Sequence, residues 1–324
     1  MKKTPVATLI ATALFAASAH AEVANVTFGH QFGWSYAPMY VMKEQALVEK
    51  HAKKLGIELK AEYKNLGTPG VIRDAMLAGQ VQFGAVGVPT LITLADKTNL
   101  EWKTVGNIVS VPMNVNTNNA SAKTVCDIKG KIALPTIKTS VQAVTLQMAA
   151  KAQCGGATAL DPKTVSMTHP DGMSSLLNGQ VEAHFTAPPF NDQEVSKGGG
   201  KVRTLTDSYK ILGGKTSFIL LVGSEKFRAE NPKAYAAVSG AFEEAVKWIS
   251  DNKKAAAALY VKAEKSSETA DEVYKQMAAP TTLFDTTPNR IGVYAKFMKE
   301  IGSVKRDMTW KDLSMPNLQN RKGS

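Results

Sequence analysis

The sequence predicts an α/β fold of two doubly wound lobes with a central cleft, and three observations lead there. Residues 72–90, IRDAMLAGQVQFGAVGVPT, align without a gap on residues 172–190, GMSSLLNGQVEAHFTAPPF, one hundred positions later. Leu77, Gly79, Gln80, Val81 and Pro89 recur as Leu177, Gly179, Gln180, Val181 and Pro189. Each copy reads as a short helix with an apolar side, a helix-ending Gly-Gln, a few strand residues and a small-residue turn with proline at the first helical position. Strand and helix patterns alternate around both copies, the mark of a doubly wound sheet. Finally, 324 residues that are 44% hydrophobic and 21% charged can build two ordinary soluble cores. Two crossover units that face each other would offer helix N-terminal amides to a small ligand between them. A recurring helix–strand–helix unit with no shared site is the alternative.

The elements follow in order. Met1-Lys2-Lys3, an apolar stretch from Pro5 to Ala17 and Ala19-His20-Ala21 form a secretory signal over 1–21, cleaved after Ala21. Its core is too short to span a membrane stably, and no other stretch approaches twenty apolar residues. No cysteine sits at the cleavage site to carry a lipid anchor, so the expected location is a Gram-negative periplasm. Residues 24–29 read as a strand, HQFGWSYAP as a turn-rich loop, 38–55 as a helix and 57–63 as a second strand. Gly67-Thr68-Pro69 caps the first repeat copy, a helix runs from Val88-Pro89 to about 98, and 102–111 is a strand.

Residues 114–120, NVNTNNA, are polar and aperiodic and read as a crossing between lobes. The pattern then restarts with a strand at 132–134, a loop at 135–139, a helix at 140–153, a strand at 164–168, the second repeat copy and a strand at 202–205. Residues 217–223, SFILLVG, form the most hydrophobic strand of the second half, and helices follow. Tyr235, Val238, Phe242, Val246 and Ile249 make one apolar stripe on a long helix that should pack on the first lobe. The division is therefore 22–113 with 216–324 for lobe 1, and 114–215 for lobe 2.

The formal charge of +11 includes Lys2 and Lys3, leaving +9 after cleavage. Such a field suits anionic solutes or simple solubility. The lysines are scattered, export argues against nucleic acid, and no aromatic residues interleave with basic ones. Cys126 and Cys154 are the two cysteines, and export makes a disulfide between them the expectation over two free thiols. No CxxC, HExxH, GxSxG, P-loop or GxGxxG pattern occurs, and His51, His169 and His184 are too scattered to suggest a metal site. A binding protein without cofactor is expected, with a periplasmic enzyme as the competing class.

HQFGWSYAPMYV, LAGQVQFGAVGVP, DIKGKIALPTIKTS, PDGMSSLLNGQVEAHFTAPPF and TSFILLVGSEKFRAENP, in that order, resemble the solute-binding proteins of ABC importers in the nitrate, taurine and sulfonate family. The likeness covers nearly the whole mature chain. It implies the architecture of type II periplasmic binding proteins, a monomer, and a membrane permease partner with a separate ATPase subunit. It also implies a small anionic ligand, either an organic sulfonate or carboxylate, or alternatively nitrate, bicarbonate or a pyrimidine precursor. Where relatives usually carry a glycine-serine or glycine-threonine pair after the 132–134 strand, this chain has Ile137-Lys138-Thr139-Ser140.

Helix N-termini carry unpaired amides and partial positive charge, so Val88 and Thr90 on one lobe and Thr139 and Ser140 on the other are candidate head-group ligands. Thr139 and Ser140 could equally serve only as a cap. Lys138 is placed to add charge. Trp34 and Tyr36 follow the first strand, where α/β folds place ligands, and either wall the ligand or pack. Gln31, beside His30, and the turn Ala187-Pro188-Pro189-Phe190 complete the set, with Pro188 and Phe190 as contacts.

Overall fold

The structure is a computed structural model describing residues 22–324. The secretory signal and its cleavage after Ala21 lie outside the described residues. Ten strands form two sheets of five. The first sheet holds β1 (Asn25–His30), β2 (Lys60–Asn65), β3 (Phe83–Gly87) and β4 (Trp102–Val109). The second holds β5 (Asn114–Thr117), β6 (Ile132–Leu134), β7 (Thr164–Ser166), β8 (Ala183–Thr186) and β9 (Arg203–Asp207). The chain then returns to the first sheet as β10 (Ile219–Ser224), giving the orders β2-β1-β3-β10-β4 and β7-β6-β8-β5-β9.

Both sheets follow one plan. β1 pairs in parallel with β2 and β3, as β6 does with β7 and β8. The fourth position of each order is an antiparallel strand that arrives directly from a crossover, β10 in the first sheet and β5 in the second. The crossovers touch: the Ser208 amide donates to the Met113 carbonyl at 2.8 Å, and the Met113 amide to the Ser208 hydroxyl at 3.0 Å. Cys126 and Cys154 are joined in a disulfide spanning 28 positions of lobe 2.

The hundred-residue repeat is built as two matching units. Thr68 and Thr168 cap helices Pro69–Leu77 and His169–Leu177, each accepting the amide three residues on. Gly79 and Gly179 then take φ of 72° and 71°, a left-handed conformation that favours glycine. The Gln80 and Gln180 amides donate to the carbonyls of Ala75 and Ser175.

Two sequence expectations are corrected. Residues 114–120 are not simply a crossing, because Asn114–Thr117 is the interior strand β5. Its asparagines hide the strand pattern: Asn116 is fully buried and bonds Asn191, Glu194 and Thr204, all distant in sequence. The helix predicted over 38–55 is two helices, Ala37–Glu44 and Leu47–Lys54, parted where Ala46 adopts a φ of 47°. The remaining strands and helices differ from expectation by no more than about three residues at an end. The stripe Tyr235, Val238, Phe242, Val246 and Ile249 is buried on helix Pro232–Asp251, which packs on the two helices of 37–54. The last twenty-odd residues hold only one short 3-10 turn, Pro316–Leu318, where helices were expected, and Ser314 bridges to Thr104 on β4.

Candidate functional site: the interlobe cleft

Loops leaving the carboxyl ends of the parallel strands carry the ligand sites of open α/β sheets. Here those loops meet. A Cβ on Gly33, after β1, would lie 2.7 Å from the Pro188 carbonyl oxygen, after β8. A Cβ on Gly67, after β2, would lie 3.3 Å from the methyl of Thr168, after β7. Gly87, ending β3, is covered by the side chain of Val141, after β6. The Thr90 hydroxyl donates to the Thr139 carbonyl at 3.2 Å, and the Gly70 amide to the Thr136 hydroxyl at 3.2 Å. Lobe 1 thus presents glycine backbone at four of these five contacts, where a side chain would press on lobe 2.

The sequence-derived residues divide accordingly. Thr90 and Thr139 meet across the cleft, with Val88 and Ser140 beside them and buried. Ser140 acts as an N-cap, its hydroxyl accepting the Ala143 amide at 3.1 Å while its own amide donates to Thr136. The open donors of helix Val141–Gln153 are therefore the amides of Val141 and Gln142. Helix Val88–Lys97 has no side-chain cap, so its first amides are also open. Lys138, next to Thr139, is exposed, with φ of 64°. Pro188 contacts the loop that holds Gln31, Trp34 and Tyr36. Trp34 is wholly buried, donates from Nε1 to Gln276 at 2.6 Å and lies against Phe284, so it packs. Gln31 and Tyr36 are buried too, Tyr36 with its ring 6.1 Å from His30. Phe190 stacks on His169 at 5.6 Å.

Sequence reasoning passed over two polar clusters here. Glu268 accepts from Gln193 of lobe 2 at 3.0 Å and from Gln276 at 2.7 Å, and Gln276 in turn holds Trp34, so a clasp joins the lobes at one rim. Burial raises the Glu268 carboxyl above its usual range. The second cluster lies inside lobe 2. Glu194 and His184, both fully buried, meet at 2.6 Å, and His184 Nε2 lies 3.3 Å from His169 Nδ1. The repeat itself carries the missed signal: at the same offset His184 faces Gly84, Glu194 faces Leu94, and Gly172 faces Ile72.

A sequence profile described as the NMT1-like family matches residues 19–263. The chain belongs to the NMT1-like family. No curated protein sequence matches it significantly. Among solved structures it is similar to the alkanesulfonate-binding protein SsuA from Xanthomonas axonopodis pv. citri bound to MOPS, at 15% identity and a TM-score of 0.72 over 91% of this chain and 99% of that one. The periplasmic aliphatic sulphonate binding protein SsuA from Escherichia coli gives 18% identity and 0.66 over 90% and 92% of the two chains. The periplasmic nitrate-binding protein NrtA from Synechocystis PCC 6803 gives 16% and 0.65 over 86% and 81%. At such identities the likeness shows the fold, that of the periplasmic binding proteins.

Two measurable consequences follow for this NMT1-like chain. Burial lowers the imidazole of His30, and lowers that of His169 well below 6.5, with His184 adding to the second. Both rings are therefore neutral when folded and take up protons on unfolding. Stability should hold above pH ~6.5 and fall below it, by up to about 1.4 kcal/mol per pH unit for each ring. Urea midpoints at pH 7.5 and 5.0 check this, and equal midpoints would contradict it. Ser140→Ala should lower stability by about 1 kcal/mol through loss of the cap. Because the Val141 and Gln142 amides remain, ligand affinity should change less than about threefold, whereas loss of a hydrogen bond to a charged ligand would weaken it more than tenfold.

Proposed function

We propose that the protein is the periplasmic solute-binding component of an ABC importer, which captures a small organic anion, a sulfonate or carboxylate, between its lobes and delivers it to a membrane permease driven by a separate ATPase subunit. The observation that carries this reading is the meeting of lobes through the strand-end loops, with the helix starts at 88 and 141 converging where Thr90 reaches Thr139. Two open helix N-termini favour an anion, since unpaired amides and the helix dipole point at the same place. The adjoining crossovers provide a short connection about which such lobes can part. The sulfonate- and nitrate-binding proteins that share the fold support the same class of ligand. Affinity is proposed to come from the amides after Gly87 and Ser140, with Gln31, Tyr36 and Phe190 closing around the organic part and Lys138 adding charge at the rim.

A melting-shift panel of aliphatic and aromatic sulfonates and carboxylates, nitrate, bicarbonate and pyrimidine precursors tests this. A true ligand at a hundredfold excess over Kd should stabilise the protein by about 2.7 kcal/mol, without product in the recovered solution. A shift by neutral or cationic compounds alone would remove the anion, and turnover of a bound compound would make the protein an enzyme.

A further inference from the structure

His169 touches both Gln142 and Phe190: the Gln142 Nε2 lies 3.4 Å from His169 Nε2, and His169 stacks on Phe190. Each also has a neighbour in the chain that meets lobe 1. Val141 covers Gly87, Thr168 faces Gly67, and the Pro188 carbonyl faces Gly33. The trio therefore sits directly behind the residues through which lobe 2 meets lobe 1. Behind it runs the buried series His169, His184, Glu194 and Asn116.

With Glu194 ionised and both rings neutral, the protons of this series fall into one order. The Thr204 hydroxyl occupies Asn116 Oδ1 at 2.8 Å, so the Asn116 amide nitrogen donates to Glu194 Oε2 at 2.9 Å. Glu194 Oε1, an acceptor, takes the proton on His184 Nδ1 at 2.6 Å. His184 Nε2 is then an acceptor and receives His169 Nδ1–H. His169 Nε2 is left as an acceptor for the Gln142 amide nitrogen, and no donor among the described residues reaches Gln142 Oε1. Burial keeps His169 neutral, as the series requires.

The fold does not need this series. Lobe 1 fills the matching positions with Ile72, Gly84 and Leu94, whereas lobe 2 has Gly172, His184 and Glu194. Gly172 is what admits the His184 ring, whose Cε1 would lie 2.6 Å from a Cβ there. A titratable relay has thus replaced apolar packing in the lobe copy that ends behind these interlobe contacts.

We propose that Gln142 is a ligand-reading residue, and that Glu194, His184 and His169 are positioning residues that hold its amide nitrogen inward, so that the site selects an anion carrying a hydrogen-bond donor for Gln142 Oε1. This rests on the cleft being the solute site. Two probe pairs, each exchanging a hydroxyl for a methyl, read it out: 2-hydroxyethanesulfonate against propane-1-sulfonate, and 4-hydroxybenzoate against 4-methylbenzoate. In at least one pair the hydroxyl member should bind about tenfold tighter. Gln142→Met should bring that ratio to near one.

Glu194→Gln should reverse the relay. Asn116 still demands an oxygen, so the new amide nitrogen must face His184 Nδ1, both rings must move their protons to Nε2, and Gln142 must turn its nitrogen outward. The preference for the hydroxyl member should vanish or invert. Histidine-selective nitrogen NMR of the ligand-free full chain should find His169 and His184 as Nδ1–H forms in the native protein and Nε2–H forms in Glu194→Gln. Nε2–H rings in the native protein would overturn the relay, and a ratio unmoved by Gln142→Met would overturn the reading role. If none of the four probes binds, the hydroxyl selectivity fails, while the wider panel still decides the anion reading and the ring spectra the relay.

Discussion

Replacing Glu194 with alanine should destabilise the protein by about 3–5 kcal/mol, among the largest effects of any single substitution in the chain. The carboxylate is fully buried and receives donors from two sides, His184 Nδ1 at 2.6 Å and Asn116 Nδ2 at 2.9 Å. Alanine leaves both donors without an acceptor in a region closed to water, and an orphaned buried donor costs about 1–3 kcal/mol. It also leaves a cavity, which adds to the loss. Glu194→Gln keeps the volume and an acceptor for Asn116, so its loss should stay below about 1.5 kcal/mol. Urea unfolding of the two variants measures the difference. Equal losses would mean that the carboxylate itself, not the volume or the acceptor for Asn116, is what lobe 2 requires. The comparison with Leu94 argues that the polar pair is kept for what it orients, since the matching site in lobe 1 is stable with an apolar side chain.

What the sequence made legible follows from where its constraints are local. The repeat could be read because both copies use the same threonine cap and the same helix-ending glycine, each governed by residues within a few positions. The stripe on helix Pro232–Asp251 was legible for the same reason, as a spacing of three and four. β5 was not, because Asn116 counts as polar until partners at 191, 194 and 204 arrive to satisfy it. The helix start at 141 was legible, but the use of Ser140 as a cap rather than an open ligand depends on geometry. Trp34 was visible as an aromatic that either walls the ligand or packs, yet its packing rests on Gln276, 242 positions away. The relay was hidden because scattered histidines mean little until the fold stacks helix His169–Leu177, β8 and helix Phe190–Lys197 together. The differences between repeat copies, rather than their identities, pointed to it.

Reducing the Cys126–Cys154 disulfide, or replacing both cysteines by alanine, should cost about 3.6 kcal/mol, the loop-closure value for a ring of about 28 residues. The term acts on the unfolded chain, which gains freedom once the ring opens, so the native fold itself should change little. The closed segment already has its own anchors. Val125 and Ile128 are buried beside helix Val141–Gln153, and Thr124 and Asp127 form a capping box at the turn that carries Cys126. Those contacts should keep the reduced protein folded at 25 °C, with a lower urea midpoint and a steeper dependence on urea, because the opened unfolded chain exposes more surface. Both cysteines are half-buried, so a small thiol can reach the bond without global unfolding. Paired unfolding curves with and without reductant, with thiol alkylation to confirm opening, measure the effect. A loss below about 1 kcal/mol with no change in slope would show that the anchors around 125–128 already restrict the unfolded chain, and that the ring adds little to what they do.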